Sequence, residues 1–371
     1  MKFNKKEVFF SVFSVLFSLS FFCVVAEVAT RIYLGEEPEN EGTLYKYKDI
    51  KLGFKGNDGF DSQFFTDHDA VAQGVKVHIN NVGLRDYKDR QITKPSATAR
   101  VAIFGDSFTF GRGNEDMETG PAQLEKMLND EKNSSTYVEV LNFGVSGFNT
   151  IQQYIYLTRF GMQFEPDVVL IQWLYNDFNK RGYRMSDLDK IASSGAIERI
   201  RKQRTSGANV DFDLVRTTKL WLRKYSDFYE FILAPRLRSL YGRLFDAEVG
   251  DVYFTNFKTR GAQLSLKSLN AAFDFCKERG IEFGVVIYPG LNTLNTSFHQ
   301  DNIYSKLERF CEQNRIPVLN LYSAAFKCLD SSELVISKRD SHPNAKAQKI
   351  AAQAIAPWVT ELLHKKYTDG K

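Results

Sequence analysis

The sequence predicts an α/β protein, a parallel sheet covered by helices on both faces, behind an N-terminal membrane helix. Three observations carry this. From Ala99 onward, short and nearly continuous apolar runs alternate with stretches of helical length, the pattern of strands buried on both faces and joined by crossover helices. At 371 residues and 43% hydrophobic, the chain can build one large core plus an appendage and is too apolar to stay disordered. Lys2, Lys5 and Lys6 precede an uncharged run from Val8 to Ala26, which reads as a membrane segment.

A helix crossing the hydrocarbon layer needs roughly 20 mostly apolar residues, whereas the core of a signal peptide is about 7–15. Residues 1–31 therefore fit a cytoplasmic tip and an uncleaved signal anchor. Lysines ahead of the span place the N-terminus in the cytoplasm, giving a single-pass protein of the cell membrane whose remainder is periplasmic or extracellular. The alternative is a cleaved signal peptide, since Val25-Ala26-Glu27-Val28-Ala29 offers small residues at cleavage spacing. Cys23 follows Ser20-Phe21-Phe22, without the small residue expected before a lipid-modified cysteine, and reads as part of the span.

Residues 32–98 form a polar spacer with one alternating strand, Val75–Ile79, ending in the turn Asn80-Asn81-Val82-Gly83. The main domain, 99–364, carries strands at 100–104, 138–143, 168–173, 282–288 and 317–321. Helices are expected at 121–129, 150–160, 263–279, 303–314 and about 344–364, with Pro121 and Pro343 in first-turn positions that tolerate a missing N–H. An insertion at about 178–260 interrupts the rhythm, and residues 365–371 form a tail. The insertion holds seventeen Lys and Arg against ten Asp and Glu, so the positive charge is local. It is either a solvated face or a lid that attracts an anionic glycan or rests on anionic lipid headgroups. Within it, Leu220–Ile232 has helical spacing of large apolar residues, which Pro235 would end or kink.

The formal charge of +4 is small for this length, and no nucleic-acid motif accompanies it, so nucleic acid is not an expected partner. Cys276, Cys311 and Cys328 form no Cys-x-x-Cys pair, and the five histidines are not clustered. Neither a metal site nor a cofactor is expected. A disulfide within this trio and three small buried side chains both remain open.

Chemistry-bearing residues cluster at strand ends. Ligands of an open parallel sheet bind beyond the carboxyl ends of its strands. Ser107 in Gly105-Asp106-Ser107-Phe108, Gly147 in Asn142-Phe143-Gly144-Val145-Ser146-Gly147, and Asn176-Asp177 each follow a strand. A serine attacks an ester when a base takes its proton and donors meet the oxyanion. His342 is the candidate base, with Asp340 two residues earlier to hold the imidazole. The start of the following helix should oppose protonation of that ring. The expected oxyanion donors are the backbone N–H groups of Ser107 and Gly147 and the Asn176 amide. Gly147 also reads as a turn glycine and Asn176 as a helix cap. Arg85, in Gly83-Leu84-Arg85-Asp86, reads as a structural ion pair rather than a substrate contact.

The order Gly105-Asp106-Ser107, Gly147, Asn176-Asp177, His342 resembles the SGNH hydrolases, or GDSL esterase/lipase family, over roughly 99–178 and 262–364. It looks most similar to membrane-anchored bacterial members linked to polysaccharide or cell-envelope modification. The resemblance implies a flavodoxin-like three-layer α/β/α sandwich, a Ser107 nucleophile, oxyanion donors at Ser107, Gly147 and Asn176, and a His342 base with an Asp partner. It implies an extracytoplasmic serine esterase acting on acyl, chiefly O-acetyl, esters of a polysaccharide or other envelope component. An O-acyltransferase using the same acyl-enzyme, and a non-catalytic glycan-binding envelope protein, are the alternatives. The expected partners are an acylated carbohydrate or other small ester, the cytoplasmic membrane, and envelope polysaccharide machinery. Three positions depart from the family pattern. Phe108 replaces the naming leucine, Leu174 stands where a glycine usually precedes the asparagine, and Asp340-Ser341-His342 shortens the usual Asp-x-x-His, with Arg339 where the aspartate often stands.

Overall fold

Five apolar runs become five parallel strands in a computed structural model of the chain, which describes residues 5–35, 68–130, 136–178, 218, 221–222, 225–234, 236–237, 257–294 and 300–368. The strands are β3 (Thr98–Gly105), β4 (Tyr137–Gly144), β5 (Val168–Trp173), β6 (Glu282–Ile287) and β7 (Val318–Asn320), in the order β4-β3-β5-β6-β7. That is the flavodoxin-like order, which reverses between the first and third strands of the sheet. β5 is buried at every position, as its unbroken apolar run requires. The final strand is shorter than expected, because Tyr322–Phe326 coils immediately after Leu321 into a wide helical turn.

Helices cover both faces. α3 (Gly120–Asp130) packs with α7 (Ala345–Thr368), and α4 (Thr150–Arg159) packs with α5 (Arg260–Lys277). α6 (Gln300–Gln313) lies against β7. α7 starts later than expected: Asn344 caps it, its Oδ1 accepting the Ala347 N–H at 3.1 Å, so Pro343 stands outside the helix rather than in its first turn. Cys276 and Cys311 are buried free thiols that burial pushes up to about 12, while Cys328 is exposed.

Among the described residues the chain divides into two compact units. The larger holds the sheet and also a hairpin from the expected spacer, β1 (His68–Ala72) paired antiparallel with β2 (Val75–Ile79). Its turn residues Gln73 and Gly74 both have left-handed backbone, φ 58° and 76°, the geometry of a tight type I′ connection. The hairpin is not a free tether. Ala70, Val77 and Ile79 form a second apolar cluster with Phe110, Val145 and Phe148, and the His78 N–H donates to Asp116 Oδ2 at 3.0 Å. The predicted turn follows, with Asn80 Oδ1 accepting the N–H groups of Val82 and Leu84 at 3.1 and 3.0 Å.

The smaller unit contains α1 (Lys5–Leu34), the described residues between 218 and 237, and Ser337–Arg339. Phe13–Leu34 is long and apolar enough to cross a membrane. Glu27 breaks the apolar surface of α1 for a reason: its carboxylate accepts from Ser226 Oγ at 2.8 Å and from the Asp227 and Phe228 N–H groups at 3.0 Å each. It thereby satisfies donors at the start of the helical segment Phe228–Leu233. Arg339 donates to the Gly35 carbonyl and, at 2.7 Å, to Asp227 Oδ2. Pro235, expected to end or kink the segment, lies outside the described residues. Most of the basic insertion, residues 36–67 of the spacer, and the last residues of the tail also lie outside the described residues.

Candidate active site

The segment that carries Ser107 is shaped by what it cannot hold. β3 ends at Gly105, where a Cβ would lie 1.9 Å from Thr109 Oγ1, and β4 ends at Gly144, where one would lie 2.2 Å from the Phe110 backbone nitrogen. Both glycines let the four-residue helix α2 (Ser107–Phe110) sit directly on the strand ends. Asp106 caps α2, its Oδ1 accepting the Phe108 N–H at 2.9 Å, while its Oδ2 accepts from Asn176 Nδ2 at 3.1 Å. One carboxylate therefore fixes the loops after β3 and β5 relative to each other.

His342 meets this segment from the far end of the sequence. Its Nε2 is 2.7 Å from Ser107 Oγ, and its Nδ1 makes a short contact with Asp340 Oδ1, which also accepts the His342 N–H at 3.0 Å. Burial pushes the Asp340 carboxyl up, but the His342 hydrogen bonds and the neighbouring Arg112 outweigh it, and the net shift is downward. Asp340 thus stays charged at neutral pH, and the two-residue spacing suffices to bring carboxylate and imidazole together. Phe108 earns its ring: it packs edge-on against His342, centroids 5.4 Å apart, and against Tyr288 at 5.2 Å.

Ser107, His342 and Asp340 are therefore in direct contact, and Gly147 and Asn176 occupy the loops after β4 and β5. Gly147 has φ 81°, a left-handed turn that glycine accommodates without strain. Asn176 lies in the short 3₁₀ turn Tyr175–Phe178 rather than capping a long helix. Leu174, at the departing position, is buried, and its N–H donates to Asp177 Oδ2 at 3.2 Å. Burial, and after it the nearby Asp106 charge, raise the Asp177 carboxyl well above its ordinary value.

Sequence reasoning missed Gln73, Arg112 and Asn114. Asn114 Nδ2 donates to the Pro343 carbonyl at 2.8 Å and the Arg112 carbonyl at 3.1 Å, joining the nucleophile loop to the histidine loop. Arg85 is indeed structural. Its Nε pairs with Asp116 at 2.9 Å, and its remaining nitrogens donate to the carbonyls of Phe110, Gly111 and Asn114.

An α/β sheet of this order, with a serine, an imidazole and a carboxylate meeting at its carboxyl rim, is built like an ester hydrolase. Residues 103–350 match the GDSL-like Lipase/Acylhydrolase family. The chain belongs to that family, whose members are serine ester hydrolases of the GDSL type. No curated protein sequence matches it. Similar solved structures include TesA, at 14% identity over 71% of this chain and 99% of that one, TM-score 0.41. The psychrotrophic esterase EstA from Pseudoalteromonas sp. is similar at 15% identity over 71% and 98%, TM-score 0.39. An acetylxylan esterase, Axe2, from Geobacillus stearothermophilus is similar at 14% over 71% and 94%, TM-score 0.40. Likeness at this level adds nothing to the family match.

Proposed function

We propose that the protein is a membrane-anchored, extracytoplasmic esterase that removes short acyl groups, chiefly O-acetyl, from a polysaccharide or other envelope component. The observation that carries the reading is the 2.7 Å approach of His342 Nε2 to Ser107 Oγ, with Asp340 on the other ring nitrogen. In this mechanism His342 takes the hydroxyl proton as Ser107 Oγ attacks the ester carbonyl. The backbone N–H groups of Ser107 and Gly147 and the Asn176 amide meet the oxyanion, and His342 returns the proton to the departing sugar oxygen. Water, activated by the same imidazole, then cleaves the acyl-serine ester. Loss of one oxyanion donor typically costs on the order of 10²–10³ in turnover.

Two features support the finer points. Ser107 is only 8% exposed, which favours a short acyl group over a long chain. Glu27, inside the apolar helix, caps residues 226–228, and cleavage after Ala29 would remove that cap, so retention of the helix as an anchor is favoured over its loss.

The test is fluorophosphonate labelling of the full chain in detergent, followed by a screen of aryl acetates, acetylated sugars and phospholipids. Wild-type labelling that vanishes in Ser107→Ala, with acetylated sugars preferred over phospholipids, is the expected result. A folded wild type that does not label overturns the catalytic reading. Added sugar acceptors that take the acyl group in place of water would convert the assignment from hydrolase to transferase.

A further inference from the structure

The aspartate of a catalytic triad must hold its imidazole in one orientation, and a carboxylate bound through one oxygen can still rotate. In this protein Oδ1 of Asp340 is fully used by His342. The other oxygen is met from elsewhere. Arg112 Nε lies 3.5 Å from Asp340 Oδ2. In the orientation its neighbours dictate, the Gln73 amide donates to the same oxygen at 3.3 Å and accepts from Arg112 Nη2 at 2.6 Å. Asp340 is 8% exposed, so these groups replace water on an oxygen that is otherwise inside the protein.

Each partner is itself fixed. The Arg112 N–H donates to the Ser107 carbonyl at 3.1 Å, its carbonyl accepts from Asn114, and Arg85 gathers the carbonyls on either side of it. Gln73 stands at the tip of the β1–β2 hairpin, with φ 58°. That position of a type I′ turn favours Asn, Asp or Gly, because a longer side chain pays a steric penalty in left-handed backbone. A glutamine there breaks the local rule, and departures of this kind concentrate where function is served. The hairpin is seated so that the tip can reach, through Phe110 on the nucleophile helix and Val145 and Phe148 on the Gly147 loop.

We propose that Gln73 and Arg112 are positioning residues that hold the second oxygen of Asp340, which makes the β1–β2 hairpin part of the catalytic apparatus. This rests on the reading of Asp340 as the partner of His342. The hold suits the shortened Asp-x-His spacing, in which one oxygen serves both the backbone N–H and the ring of His342 while Arg112 and Gln73 meet the other.

The experiment measures kcat and KM for p-nitrophenyl acetate, with thermal melting of the same samples, on the full chain in detergent. Gln73→Gly relieves the left-handed backbone, so its Tm should hold or rise while kcat falls about tenfold and KM stays within about twofold. Arg112→Gln should lower kcat by ten- to a hundredfold, short of the roughly 10⁴-fold reported for a triad aspartate replaced by its amide. Arg112→Lys, which keeps charge but lacks the planar fork, should recover part of that loss and stands in if Arg112→Gln does not fold. Gln73→Gly and Arg112→Lys both within twofold of wild-type kcat would overturn the hold. So would a Gln73→Gly loss accompanied by a lower Tm and a raised KM, which is the mark of a merely structural hairpin. Ser107→Ala separates the two levels. If it is inactive while the hairpin variants are unimpaired, only the hold falls, whereas an active Ser107→Ala removes the triad and the hold with it.

Discussion

Arg85 and Arg100 are two fully buried guanidinium groups built alike at opposite ends of β3. Arg100, near the amino end, pairs through Nε with Glu139 at 2.7 Å and donates to the carbonyls of Gln91, Ile92 and Phe164. Arg85, at the carboxyl end, pairs through Nε with Asp116 and donates to the carbonyls of Phe110, Gly111 and Asn114. Each converts an irregular loop into a fixed one by satisfying carbonyls that no strand or helix can reach. The difference is what the loop carries. Five residues of strand, about 17 Å, separate Arg100 from Gly105, and the backbone it holds bears no site residue. The backbone Arg85 holds, from Phe110 to Asn114, begins three residues after Ser107 and contains Arg112. The same chemistry therefore serves stability at one end of a strand and alignment at the other.

Substitution separates the two most sharply. Arg85→Met should lower kcat about a hundredfold in enzyme that remains folded and also lower Tm, because the Phe110, Gly111 and Asn114 carbonyls and Asp116 Oδ1 each lose the Arg85 donor. Turnover per folded molecule together with a melting curve reads both effects. Arg100→Met takes from Glu139 its 2.7 Å partner and leaves it with Arg90 at 3.8 Å, and breaking a buried pair costs roughly 3–5 kcal/mol, so Tm should fall by about 10 °C. Its kcat and KM should stay within about threefold of wild type, and a larger loss of turnover would erase the distinction between the two ends. Gly144→Ala probes the active-site end without touching charge. The new methyl would meet the Phe110 backbone nitrogen, and displacement of α2 should lower kcat by about tenfold with a modest fall in Tm.

Asp177→Asn should have the smallest effect. Because the folded-state pKa of Asp177 is raised, its contribution to stability is fully present below about pH 4, the ordinary carboxylate value, and is lost as pH rises through the folded value. Its hydrogen bonds run to the Leu174 N–H and the Gln153 amide rather than to Ser107, Asp340 or His342, so activity at pH 7 should change less than about threefold. Asparagine has no charge to gain, so as pH rises from about 4 the variant should lose less Tm than the wild type, as a pH series of melting curves would record.

The strands were legible because burial on both faces writes itself into sequence as unbroken apolar runs, and β5 is the plainest case. Ser107, Asp340 and His342 were legible because each sits in a short local signature, and the sheet order brings those signatures to one rim. Asp340 needed no longer spacing, since its Oδ1 reaches both the ring and the backbone N–H of His342. The hairpin was only half legible: Val75–Ile79 alternates, but His68–Ala72, of equal length, ends in the run Ala70-Val71-Ala72 and does not alternate, and Gln73-Gly74 lacks the Asn-Gly signature of a tight turn. Arg112 could not be found at all, because the partner of its side chain lies more than two hundred residues away and no local pattern marks the pair. Pro343 misled by one position, since the cap belongs to Asn344 and not to the proline.

The bonds from Glu27 to Ser226, Asp227 and Phe228 span 199, 200 and 201 residues of sequence. During synthesis at about 5–20 residues per second, the amino-terminal partner leaves the ribosome roughly 10–40 s before the groups it will bind. For that interval Glu27 has Arg31, one turn later on the same helix and 2.7 Å away, to answer its charge. The same carboxylate therefore pairs first within its own helix and, once translation has moved on, closes the small helical unit by taking the Ser226 hydroxyl and the Asp227 and Phe228 N–H groups.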